Sequence, residues 1–74
     1  MGEMDTRIRV LVQRAYNDAL FYVELAGPAD ATKPTTGIVT GSLFWETDAE
    51  NEKTTVKAFD EGSSDWYPIG GAGA

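Results

Sequence analysis

From Thr6 to Gln13 the side chains alternate, placing Ile8, Val10 and Val12 on one face of an extended chain and Arg7, Arg9, Leu11 and Gln13 on the other. A period of two over this length predicts a half-buried β-strand. Asn17-Asp18 comes next. Both side chains bond nearby backbone and tolerate left-handed conformations, so the chain is expected to turn there. Ala19 to Leu25 then carries Phe21, Tyr22 and Val23, residue types that suit a pleated, half-buried surface. A hairpin over about 6–26 is the leading expectation. Its rival is a helix, because Tyr16, Ala19, Leu20 and Val23 also fall at i, i+3, i+4 and i+7.

Gly27-Pro28 ends this unit, and a linker over about 27–37, with Pro28, Pro34 and a cluster of Thr and Ala, reads as an extended surface connection. Leu43 to Thr47 and Thr54 to Phe59 are strand-like. Between them Asp48-Ala49-Glu50-Asn51-Glu52-Lys53 is expected to be a solvated loop. Asp60 to Asp65 is a second turn, after which Trp66, Tyr67 and Ile69 form a short closing strand that Pro68 confines to an edge. Residues 1–5 and 70–74 read as flexible ends, and no regular repeat is present. The expected fold is all-β, one small domain over 6–69. Two antiparallel β-hairpins, with the second unit and its closing strand over about 38–69, form a small sheet or sandwich.

If the acidic loop closes with Thr47 opposite Thr54, then Leu43, Trp45, Val56 and Ala58 share one face, while Phe44, Lys57 and Phe59 share the other. Trp66 and Tyr67 likewise point to opposite sides. The Phe44 face needs a cover, which the N-terminal hairpin, a neighbouring subunit or a stacked sugar would each supply. Gly37, Gly41 and Gly62 are candidate turn corners.

Composition narrows the chemistry. The chain has 74 residues with no His and no Cys, which removes the commonest general base, thiolate nucleophiles, disulfides and zinc–thiolate sites. A net charge of −6 opposes nucleic acid and anionic membrane surfaces as partners, and no apolar run is long enough to span a bilayer. Such a short chain buries only about 60% of its unfolded surface, so partner surface is an expected stabiliser. Its apolar share of 42% suits a packed chain rather than a disordered one.

Candidate sites are few. Glu46 and Asp48 stand two apart on a predicted strand, roughly 7 Å, within glycosidase carboxylate spacing. A chain this small has little material for a water-excluding cleft, and the competing reading is a solvated edge that resists aggregation. Asp48, Glu50 and Glu52 alternate like the first ligands of a calcium loop, but Lys53 replaces its bending glycine and Phe59 its final Glu. Ser42, Ser63 and Ser64 have no His to activate them and suit turns. The Gly2 to Thr6 spacing fits the permissive myristoylation pattern, with no polybasic patch behind it. Arg7, Arg9 and Arg14 hold half of the positive charge, while four acids lie between Glu46 and Glu52. This asymmetry suits either head-to-tail contacts between copies or an ordinary solvated strand. The expected chain is therefore not an enzyme and takes no cofactor, metal or small-molecule substrate.

Ala31-Thr32-Lys33-Pro34-Thr35-Thr36-Gly37-Ile38-Val39-Thr40-Gly41-Ser42-Leu43-Phe44-Trp45-Glu46-Thr47-Asp48, followed by Val56-Lys57-Ala58-Phe59-Asp60 and Trp66-Tyr67, resembles small structural proteins of tailed bacteriophages and prophages. The resemblance covers residues 31 to 67 and is a pattern of strands and turns, not a catalytic signature. One departure is Ala49-Glu50-Asn51-Glu52-Lys53, longer than the Asp-Thr-Gly-Lys turn common after the acidic motif in that family. The resemblance implies a β-rich head, neck, fibre or tail accessory protein located in the virion, whose partners are itself and other virion proteins. Phe44, Trp45, Phe59, Trp66 and Tyr67 are the expected interface rings. The alternative reading is a carbohydrate-binding module that helps a virion adhere to its host, and a third is an early regulator of a host protein.

Overall fold

The structure, a computed structural model, describes residues 5–48 and 53–71. It is all-β: β1 (Arg9–Ala15), β2 (Phe21–Pro28), β3 (Leu43–Asp48), β4 (Lys53–Asp60) and β5 (Asp65–Gly71) form one sheet in the order β1-β2-β3-β4-β5. The expected hairpins are present, and the segment around 16–23 is a turn entering a strand rather than a helix. In that turn the Asn17 side-chain oxygen accepts the N–H groups of Ala19 and Leu20, both at 2.8 Å. This is the local backbone mimicry that makes Asn a turn former. At the β4–β5 turn Asp60 Oδ2 accepts from both the N–H and the hydroxyl of Ser63.

The two units join through a parallel β2–β3 pairing, Glu24 opposite Leu43 through Pro28 opposite Thr47. A parallel pair needs a crossover of a dozen or more residues. Residues 29–42 supply it, and they run across the sheet and not along the surface as the composition of 27–37 suggested. Ala31, Ile38 and Val39 are buried. The crossover packs Ala31 and Ile38 against Val23, Leu25, Phe44, Phe59 and Trp66, with Ile8 at the margin. The face carrying Phe44 is thus covered by this connection, and neither the N-terminal hairpin, a second subunit nor a sugar is needed to close it.

Irregular backbone under such burial must find partners for its polar groups. Phe21 N–H donates to Gly37 O and Val39 N–H to Phe21 O, and Gly41 N–H and Ser42 O bond the backbone of Phe59. Gly37 and Gly41 have φ of 74° and 99°. In the last turn the left-handed residue is Ser64, not Gly62. Ser42 is fully buried and its hydroxyl oxygen accepts the Val23 N–H at 3.1 Å. Ser42→Ala orphans that donor and is expected to cost about 1–3 kcal/mol in urea unfolding, whereas an exposed turn serine would cost far less.

Two differences from the sequence pattern lie in β1. Val10 pairs with Leu25 and Val12 with Glu24, so an extra residue, Leu11, bulges between them. The bulge sends Val10 to the Leu25 side and Val12 to the opposite side, where strict alternation had put them together. Val10 remains 42% exposed, since it stands at the sheet margin. Preceding the strand, Arg7 donates to Asp5 through its backbone N–H, Nε and Nη2, and reaches Asp30 of the crossover with Nη1 at 3.0 Å. The Arg7 hydrogen bonds, side-chain first and then backbone, hold the Asp5 carboxyl well below its ordinary range. A depressed folded value means stabilisation that is complete above the ordinary 3.8 and lost as pH falls through and below it. The melting temperature is expected to drop between pH 5 and pH 2 by less in Arg7→Ala than in the parent chain, and an equal drop in both would refute the assignment.

Candidate functional site

Cross-strand partners share a face, so the registers define the side opposite the crossover as three rows. One row is Arg14, Tyr22, Asp60 and Asp65; the next is Val12, Glu24, Leu43, Ala58 and Tyr67; the third is Arg9, Ala26, Trp45, Val56 and Gly70. Thr47 does lie opposite Thr54, as the hairpin reading required. Leu43, Trp45, Val56 and Ala58 occupy the middle of this face and are only partly buried, while Tyr67 is 47% exposed. Nothing in the described chain covers them. Basic side chains stand at the β1 end of the face and acidic ones at the β4–β5 end.

Of the five expected interface rings, three are committed to the core. Phe44, Phe59 and Trp66 are buried. The Trp66 ring meets Phe44 edge-on at 5.9 Å and Phe59 at 5.1 Å, and its indole N–H donates to Pro34 O at 2.9 Å. Trp45 and Tyr67 remain on the open face, so the candidate surface is built around these two.

Glu46 lies on the other side and is 6% exposed, an interior residue of β3 rather than part of a solvated edge. Lys33 Nζ from the crossover stands 2.6 Å from Glu46 Oε2 and Lys57 Nζ stands 3.3 Å from it. Lys33 also lies 4.8 Å over the Phe44 ring. Two ammonium groups on one carboxylate make it an ion-pair centre. The calcium-like pattern of Asp48, Glu50 and Glu52 lies outside the residues whose side chains are described, as does the Gly2 lipidation site. Among the described residues no acidic cluster capable of holding a metal ion is found. Among the described residues no helix is long and apolar enough to cross a membrane.

The sequence reading missed one polar contact on the open face. Tyr22 donates its hydroxyl to Glu24 Oε2 at 2.7 Å. That bond, then partial burial and the nearby negative charge, push the Tyr22 phenol above its ordinary value. The i, i+2 spacing of Tyr and Glu on one strand was the available signal. No protein-family model, curated protein or solved structure matches the chain.

Proposed function

We propose that this chain is a non-catalytic structural protein of a tailed-phage virion, acting through contacts of its open sheet face with other copies and with neighbouring virion proteins. The supporting observation is the division of the sheet into two unlike faces. One is closed by the chain's own crossover, and the other leaves Leu43, Trp45, Val56 and Tyr67 half exposed in a single patch. Large apolar patches of this kind on small domains mark contact surfaces. The virion setting is supported by the strand-and-turn resemblance over residues 31 to 67.

The test is co-purification. The chain is expected in density-banded particles from cells that carry its gene, and Trp45→Asp is expected to leave it in the soluble fraction. Its absence from the particles would overturn the reading. A saturable change in tryptophan fluorescence with host-wall sugars would replace it with the carbohydrate-binding one.

A further inference from the structure

We infer that the open face pairs with the same face of a second copy, about a two-fold axis that lies between the two sheets, parallel to the strands and over β3. This rests on the assembly reading above and names its first partner. Two sheets pack face to face with strand directions within about 30°. A two-fold axis in the plane between them can lie along the strands or across them. Along the strands, β1 of each copy lies over β5 of the other, and height on the sheet is kept. Across the strands, β1 lies over β1 with its ends reversed.

The charges select between these arrangements. Arg14 stands at one end of the same row as Asp60 and Asp65. The axis along the strands therefore sets Arg14 of each copy against Asp60 and Asp65 of the other, twice over by symmetry. Neither Arg9, Arg14, Asp60 nor Asp65 takes part in an ion pair among the described residues. The axis across the strands instead sets Arg14 over Arg9 in both halves, like against like, which is unfavourable in a partly desolvated contact. Glu24 is the one acid within β1 and β2, and the Tyr22 hydroxyl already occupies one of its oxygens.

The apolar residues fit the same choice. Trp45 and Leu43 of β3 lie nearest the axis and meet their own counterparts, while Val12 meets Tyr67 in the row between. Five strands at about 4.8 Å carry a face on the order of 450 Å² in plan. Standing side chains offer more accessible surface than their plan. The pair then lies near the lower limit of about 1,200 Å² for a stable interface, where charge complementarity decides whether copies associate.

The edges favour the face as the route. β5 carries Pro68 and a shift in register, and β1 carries its bulge and arginines, features that discourage edge-to-edge pairing.

Sedimentation and light scattering of the whole chain across concentration test this directly. A dimer is expected, weakening as salt is raised, with Arg14→Asp and Asp65→Arg each weakening it about tenfold or more and the double swap restoring it. Both positions are exposed. Circular dichroism at low concentration checks that each variant folds. Dimers that form without rescue by the double swap overturn this arrangement. A chain that stays monomeric throughout overturns self-pairing itself. Neither result bears on co-purification with particles, where the assembly reading stands or falls separately.

Discussion

Glu46→Ala is expected to remove about 3–5 kcal/mol of folding stability, a large share of what a chain of this length has, since marginal stability near 0.05–0.15 kcal/mol per residue gives roughly 4–11 kcal/mol. The reason is not the loss of an attractive contact in itself. Lys33 and Lys57 both place their ammonium groups on Glu46 Oε2 in a largely buried setting. Removing the carboxylate leaves two cations facing each other with no anion between them. Lys33 retains Ala29 O as an acceptor at 3.2 Å and the Phe44 ring below it, and neither neutralises its charge. The control is Glu46→Leu with Lys33→Met and Lys57→Met, which removes the charges together and is expected to recover most of the stability. Urea unfolding of the three proteins decides it. A single variant as stable as the parent, or a triple variant as weak as the single, would show that the three charges do not act as a unit.

The second large effect is expected at Trp66. Trp66→Ala opens a cavity against Phe44 and Phe59 and leaves the Pro34 carbonyl without its indole donor. The expected cost is about 3–5 kcal/mol, independent of protein concentration. Trp45→Ala provides the contrast. Trp45 is on the open face, so its truncation is expected to change the melting temperature of the monomer little and to lower the concentration-dependent mass instead. If the two substitutions produced the same concentration dependence, the division of labour between the faces would be wrong. Trp66→Phe separates the two parts of the larger effect, because it keeps most of the ring packing and removes only the N–H donor.

Strands and local turns were legible because their signals lie within a few residues of each other. Alternation marked β1, strand-favouring residue types marked β3 and β4, Asn17 marked the first turn, and the pairing of Thr47 with Thr54 supposed for the acidic loop is the one found. What depended on distant residues was not legible. The parallel β2–β3 pairing leaves no trace in either strand taken alone. The crossover anchors Ala31, Pro34, Ile38 and Val39 fall at i, i+3, i+7 and i+8, a helical spacing that Pro34 and the surrounding threonines contradict, so a core element with no regular backbone reads as a Thr- and Pro-rich linker. The bulge at Leu11 interrupts an alternation that looked unbroken. For the site, the sequence divided the aromatic rings correctly between two faces but had no means of telling which face the chain would close. Glu46 was read beside Asp48, its near neighbour, whereas its partners Lys33 and Lys57 come from other segments.

The crossover also limits how this protein can change over generations. Connecting segments ordinarily accept added or deleted residues, because they touch little. Here Ala31 N–H is tied to Pro28 O, Lys33 to Glu46, Pro34 O to Trp66, Ile38 to Phe21, and Thr40 and Glu61 to each other in both directions. A single residue gained or lost between Pro34 and Ile38 would put the anchors on its two sides out of step. The length of this segment is therefore under tighter constraint than the identity of its exposed threonines, and descendants of the chain should vary Thr35 and Thr36 freely while keeping the count.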